Sequence, residues 1–410
     1  MSRHARLFCF CVTLFAMPVS LATFSLAIFC KVVDNYGDIG ICWRLARQLH
    51  GEHGIAVTLW VDDLGSFRRI WPTVDAGAAH QIVDGIAVRH WAGQDGDFSP
   101  ADIPDVVIEF FGVELPPAYV AAMAEKGKSG LAPVWINYEG LSAEEWVEGC
   151  HALPSMHPRL KLTKHFFFPG FTDRTGGLLR ERDLLASRDR FQADPAASAA
   201  FLAGLGVTPA EAAAGKASLF CYPHAPVAEM FDAWAAGDRP WTCLVPHGVA
   251  PEQVAAFLGR DALPGASTTR GNLTVRVIPF LPQSDYDRLL WACDLNFVRG
   301  EDSWVRAQWA GRPFVWHIYP QDENLHHVKL RAFLQKYAQN LDVPLADVLA
   351  ACMLRWNGAD ADADSASGHV WTSLQAALPA LARHDAAWVA RMAGNGDLVS
   401  NLLHFVRAPR

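Results

Sequence analysis

"DLNFVRGEDSWVRAQWAGRPFVW", residues 294–316, holds the pattern that decides the fold. The apolar run 295–298 reads as a buried strand, Arg299-Gly300 as a tight turn, and a helix opens near Glu301–Ser303. Gly311 and Pro313 stop that helix before a further strand at 313–317. A strand followed at once by a helix and another strand is the repeating unit of a parallel α/β sheet. In open sheets of this kind ligands bind beyond the carboxyl ends of the strands, which is where the turn at 299–303 falls. Amides of Asp302, Ser303 and Trp304 at a helix start suit a diphosphate, with Arg299 adding charge and Ser303 a hydroxyl. The plainer alternative is that Asp302 or Ser303 only caps the helix, with Glu301 favouring its positive end. Two acids beside a phosphate need a reason; binding a sugar's hydroxyls or a developing positive charge would be one. The sequence contains no P-loop and no GxGxxG.

The same rhythm extends in both directions. Strands at 218–222, 241–245 and 273–278 complete a Rossmann-like unit at about 216–385. Two of its strand-end loops carry aromatics and prolines: "LFCYPHAP" (219–226) with Phe220 and Tyr222, and "VIPFLPQSDYDRLLWACD" (277–294) with Phe280 and Gln283. Such aromatics are often core residues, but their convergence on one sheet edge favours a nucleotide pocket, with Gln283 placed to read the edge of a base. An earlier unit at 26–180 repeats the alternation: strands at 26–33, 55–61, 105–110 and 134–137, a helix at 39–50 with Cys42, Leu45, Ala46 and Leu49 on one face, and helices starting near Pro117 and Ala143. Between the units, 181–215 is Ala-rich and helical, and a last helix at 386–406 within 386–410 is expected to pack back on the first unit. The architecture expected is therefore α/β, with two Rossmann-like domains facing each other across a cleft.

"VVDNYGDIG" (32–40) ends the first strand of the earlier unit. Asp38, just before the helix, reads as its N-cap, whereas Asp34 caps nothing obvious and is the candidate general base. Gly37 and Gly40 let the backbone turn closely around a ligand. Asn35, Tyr36 and Gly37, with Asn137–Glu139 from "WINYEGLSAEEW" (135–146), are expected to face a substrate in the same cleft.

Bulk properties narrow the function further. A chain of 410 residues with 51% hydrophobic and 19% charged residues suits about two domains, and a net charge of −8 argues against a general nucleic-acid binder. Nine cysteines without metal-ligand spacing, and histidines 224, 247, 317, 326 and 327 without it, point to a reducing, cytoplasmic setting and no metal site. Residues 1–25 carry early basic residues and then a mostly apolar run, which read alone fits a signal peptide or a marginal span. The lack of a polar spacer before the first strand favours instead an extension outside the fold, with Met17 as a candidate start and no membrane partner.

"IFCKVVDNYGDIGICWRLARQL" (28–49), "WVEGCHALPS" (146–155), "FFFPGFTDRTGGLLRE" (166–181) and "LLWACDLNFVRGEDSWVRAQWAGRPFVWHIYPQDE" (289–323) together resemble the EarP family. Its members are bacterial protein-arginine rhamnosyltransferases that modify elongation factor P. The resemblance implies a GT-B fold, dTDP-β-L-rhamnose as donor, transfer to one arginine with inversion, and no cofactor. It implies further that Asp34 and Asp38 are an essential pair with Asp34 as base, and that Glu301 is the other essential carboxylate. Phe220, Tyr222, Gln283, Arg299, Asp302 and Ser303 fall on donor-binding motifs, joined by Tyr319, by Phe280 and by the Gly300 turn. Two other readings remain at this point: a GT-B enzyme with a lipid or small-molecule acceptor, and a non-catalytic nucleotide-sugar-binding module.

Overall fold

The computed structural model describes residues 24–93, 96–359 and 367–408; the expected N-terminal extension lies almost wholly outside them. The first unit is an eight-stranded sheet of β1 (Ser25–Cys30), β2 (Ala56–Val61), β3 (His80–Val83), β4 (Ile86–His90), β5 (Val106–Phe110), β6 (Val134–Tyr138), β7 (Pro154–Met156) and β8 (Thr163–Phe167). Its order is β3-β4-β2-β1-β5-β6-β8-β7. The inner strands run parallel, and the edge pairs β3–β4 and β7–β8 are antiparallel. The second unit has β9 (Gly215–Leu219), β10 (Trp241–Pro246), β11 (Ser267–Arg270), β12 (Leu273–Ile278), β13 (Leu295–Arg299) and β14 (Phe314–His317), in the order β11-β12-β10-β9-β13-β14. Only β11 of these is antiparallel to its neighbour.

Central strands are buried on both faces because helices cover both, so they read as continuous apolar runs: β5 is buried throughout, and β1 from Leu26 to Cys30. The edge hairpins are absent from the sequence reading, although one left a signal. Asp84-Gly85 joins β3 to β4 with φ of 47° and 82°, the left-handed pair that a tight hairpin turn requires. The parallel alternation, whose last expected strand in this unit lay at 134–137, continues one strand further, through β8. Helices Leu184–Gln192, Pro195–Gly204 and Pro209–Ala213 then carry the chain to the second unit.

The expected single helix at 386–406 is two. Helix Ser367–Gly394 buries Trp371, Leu381, Trp388 and Met392 in the second unit's core. Gly396 at φ 82° then turns the chain, and Asp397 accepts the Ser400 amide to start helix Leu398–Arg407. Leu398, Val399, Leu402 and Leu403 of that last helix lie in the core of the first unit. The chain thus crosses between units twice.

The carboxyl ends of both sets of parallel strands face one cleft, the GT-B arrangement. Behind that cleft the units are joined by buried charge. Arg44, on helix Gly37–His53, donates to both carboxylate oxygens of Asp287 at 2.9 and 3.0 Å and to Asp302 at 2.8 Å, and lies 3.5 Å from Glu181. Arg306 grips Asp287 and Glu181 from the other side, each through a 2.7 Å contact. Both guanidiniums are only 2% exposed. Removing one charge from such a cluster leaves its partners buried and uncompensated. Arg44→Met should therefore lower unfolding stability in urea by about 3–5 kcal/mol. A loss below about 1 kcal/mol, the worth of an exposed pair, would mean the cluster does not join the units.

Candidate active site

The loop after β1 is built around Asp38. Its Oδ2 accepts the backbone N–H of Val33 at 2.7 Å and of Asp34 at 2.8 Å. This corrects the N-cap reading. The helix starts at Gly37, its N-cap is Tyr36 with no side-chain bond, and Asp38 sits in the first turn facing backwards. The loop amides need an acceptor more than the helix end does, and one carboxylate oxygen serves both. Asp38 is thus the residue that fixes the loop carrying Asp34.

Asp34 reaches across the cleft. Its Oδ2 accepts the hydroxyl of Tyr222, from the loop after β9, at 2.6 Å, while its buried Oδ1 has no partner. Burial pushes the Asp34 carboxyl up to about 6, against the opposing pull of the Tyr222 hydrogen bond and the Arg299 charge. Gly300 is required here. It has φ 61°, and a Cβ on it would lie 2.4 Å from Asp34 Oδ2 and 3.0 Å from the Tyr222 hydroxyl.

Glu301 makes a second crossing, accepting the Leu141 amide of the first unit at 2.9 Å. Burial pushes its carboxyl up to about 8; the Leu141 bond opposes this and the nearby Asp38 charge adds to it. Arg299 lies against aromatic faces, 4.4 Å from the Phe220 ring centroid and 4.8 Å from that of Tyr222, and donates to the Cys221 carbonyl at 3.1 Å.

Two cavities meet at Asp34 and Gly37, which line both. One spans about 580 Å³, counting the open space at its mouth. Its walls are aromatic, with Tyr36 against Phe280 at 5.0 Å on one side and Phe220 against Tyr286 at 5.7 Å on the other. Its polar side chains include Gln283, Arg299, Ser303 and the carboxylates Asp34 and Asp302; the aromatic walls suit a flat base and Arg299 a phosphate at its end. The other, about 1110 Å³, is lined by Asp34, Asp38, Glu139 and Glu301, with Lys329 as a cation, and suits a positively charged group.

Several expected ligands have other work in this structure. The Ser303 hydroxyl accepts the Arg299 amide at 2.9 Å and donates to the Arg299 carbonyl, so both its bonding directions close the 299–303 turn. Neither it nor Asp302 caps the helix, whose N-cap is Glu301 without a side-chain bond. Asp302 faces Arg44, and Gln283 Nε2 donates to the Gly40 carbonyl at 2.8 Å and to Asp302 at 3.2 Å. That explains the second acid beside a phosphate site: it pairs with an arginine of the other unit. Only Oε1 of Gln283 is without a partner, and it is buried. Tyr319 packs on Tyr222 at 5.8 Å and lines the larger cavity, whereas Asn35 is exposed, with φ 41°, and lines neither.

Arg44 and Lys329 were missed. A charge at Arg44 between Trp43 and Leu45 on a largely buried helix was a readable signal; Lys329 had none, since its position depends on how helix Leu325–Tyr337 crosses the cleft. Among the described residues no three His, Cys, Asp or Glu side chains group as a metal site, and the seven cysteines there are unpaired.

Residues 26–407 match the family model described as Elongation-Factor P (EF-P) rhamnosyltransferase EarP. The chain belongs to the EarP family. A protein-arginine rhamnosyltransferase of Pseudomonas putida is 51% identical over 93% of this chain and 98% of its own. Another, of Pseudomonas aeruginosa, is 46% identical over 92% and 97%. A solved structure from work on EarP-mediated arginine glycosylation of translation elongation factor EF-P has 38% identity and a TM-score of 0.63, covering 94% of this chain and 99% of that one.

Two outcomes follow for an EarP-family site built this way. Gly300→Ala should fold but lose on the order of a hundredfold or more in turnover, because its Cβ displaces the Asp34 carboxylate from its place. The pH profile should show an acid limb: below about 6 the Asp34 carboxyl is protonated and cannot accept a proton, so kcat/KM rises with pH through that value and then levels. A flat profile between pH 5 and 7, an interval chosen on the order of one unit either side of the midpoint, would remove Asp34 from the rate-determining chemistry.

Proposed function

We propose that this chain transfers L-rhamnose from dTDP-β-L-rhamnose to an arginine side chain of elongation factor P, with inversion at the anomeric carbon. The observation that carries this reading is the position of Asp34, which lines both an aromatic slot fit for a nucleotide and an acidic cavity fit for a guanidinium. The setting is the cytoplasm, and the modified factor would serve ribosomes stalled at polyproline, as the family resemblance implies. Among the described residues no helix is long and apolar enough to cross a membrane.

The acceptor poses the chemical problem. A guanidinium stays protonated far above neutral pH and is a poor nucleophile. A carboxylate beside it localises its charge on the far nitrogens and takes a proton as the C–N bond forms. Asp34 suits this work, since a carboxyl raised to about 6 is a stronger base than an ordinary one yet still ionised at neutral pH. In the proposed pose the arginine enters the acidic cavity and the nucleotide lies between the Phe280 and Phe220 walls. The departing diphosphate then sits toward Arg299 and the start of helix Asp302–Ala310, on the side of the sugar opposite the attack. Glu301, with its carboxyl raised to about 8 and so mostly protonated at neutral pH, is placed to hold the sugar through hydrogen bonds. Catalysis then requires no metal ion.

The direct test is intact-mass analysis of elongation factor P incubated with the protein and dTDP-rhamnose. A mass gain of one deoxyhexose on an arginine is expected; an unchanged mass refutes the reading. Asp34→Ala should abolish transfer and leave dTDP affinity near normal. Arg299→Ala should weaken dTDP by about 1–3 kcal/mol, the worth of a charge-assisted contact. Equal losses of dTDP binding in both variants would contradict the division between base and donor site. Turnover should also be unchanged in EDTA; activity lost there and restored by Mg²⁺ or Mn²⁺ would make Glu301 and Asp302 metal ligands instead.

A further inference from the structure

Behind Tyr222 lies a histidine pair that the reaction as described does not use. His317 ends β14 and is 0% exposed. Its carbonyl accepts the Gly300 amide at 3.0 Å, and its Nδ1 accepts the Tyr222 amide at 3.2 Å. Its Nε2 is 2.8 Å from Nε2 of His224, and its ring meets the Tyr222 ring edge to face at 5.2 Å. One residue therefore touches both backbone segments on which the Asp34 carboxylate rests: its imidazole holds the Tyr222 loop and its backbone carbonyl the Gly300 turn.

The bonds also fix the protons. An Nδ1 that accepts an N–H has no proton of its own, so the His317 proton is on Nε2 and points at His224. His224 Nε2 must then be the acceptor, and the His224 proton sits on its Nδ1. The pair works only with both rings neutral. Protonation of His224 would set two N–H donors face to face at 2.8 Å. Reversing the His317 tautomer would instead set its Nδ1–H against the Tyr222 amide.

We propose that His317 and His224 are positioning residues of the transfer step: a neutral imidazole pair that holds Tyr222, and through its hydroxyl the Asp34 carboxylate, in line between the two cavities. This rests on the reading of Asp34 as the base. The other titratable groups around the pair are Arg299 and Tyr319 beside Tyr222, and His326 on helix Leu325–Tyr337. Arg299 and His326 both disfavour a charge on His317, and burial holds both imidazoles of the pair below the ordinary histidine range, His317 furthest. Above that range the pair is intact. As pH falls below the ordinary histidine range, the exposed His224 gains a proton and the support of Tyr222 is lost, in addition to the protonation of Asp34 itself.

The experiment compares His224→Gln, His224→Leu, His317→Leu and Asp34→Asn with the unaltered protein, reading kcat against pH with elongation factor P and dTDP-rhamnose, and melting temperature. The unaltered protein should lose activity at low pH more steeply than a single proton allows. His224→Gln, whose carbonyl still accepts the His317 proton but does not titrate, should keep kcat near normal and follow a single proton. His224→Leu should fold normally, since the residue is at the surface, yet lose on the order of tenfold in kcat at neutral pH, and His317→Leu at least as much. Should His317→Leu fail to fold, the two His224 variants decide alone. Normal kcat and an unaltered acid limb in His224→Leu, with Asp34→Asn inactive, would overturn the role of the pair and leave the base in place. An active Asp34→Asn would refute the base reading and this inference with it.

Discussion

Arg44 is the hinge on which the structure depends. It grows from the first unit's opening helix and ends among carboxylates of the linker and of the second unit, Glu181, Asp287 and Asp302, with Arg306 completing the cluster. Five charges, of which Arg44, Arg306 and Asp287 are buried and Glu181 is partly exposed, stabilise one another best at one separation and angle, because a guanidinium binds carboxylates in a planar fork. The charge cluster acts together with an apolar contact, in which Leu141, Phe171 and Leu178 of the first unit are buried in the second unit's core. The cluster also holds Asp302 at the wall of the smaller cavity, and through Gln283 and the Gly40 carbonyl the first helix is fixed against the second unit.

With the units so placed, the site needs little more than strand ends. Each functional side chain leaves a loop at the carboxyl edge of a parallel strand, where the backbone turns and amides point outward. Asp34 comes from the loop after β1, Tyr222 from that after β9, Glu301 from that after β13. These same residues also make contacts across the cleft, Asp34 to Tyr222 and Glu301 to the Leu141 amide. Chemistry and domain contact thus share atoms, and a change at Gly300 or Tyr222 affects both.

Much of this was legible in the sequence because it is local. Strand, turn and helix between 294 and 316 are written in apolar runs, a glycine turn and a proline stop, and the residues of the two cavities fall on the strand-end loops where fold logic puts them. What was not legible depends on partners far along the chain. Asp38 looks like a cap until two loop amides are seen to need it, and the Ser303 hydroxyl, in the wall of the smaller cavity, also closes the Arg299 turn. Asp302 finds its reason 258 residues away, in Arg44. The Asp84-Gly85 turn is the exception, a local signal that was present and passed over.

The return of helix Leu398–Arg407 to the first unit ties that unit's completion to the end of synthesis. As the chain leaves the ribosome, β1 to β8 emerge first, but Leu398, Val399, Leu402 and Leu403, which close part of their core, are the last element made. Domains ordinarily fold in the order they emerge. Here the earlier half must wait, with an apolar face unsealed, while the whole of the later half is translated and folds. A ribosome that stalls on this message anywhere between the two halves would therefore hold out an unfinished first unit, and nascent-chain chaperones have that interval in which to act.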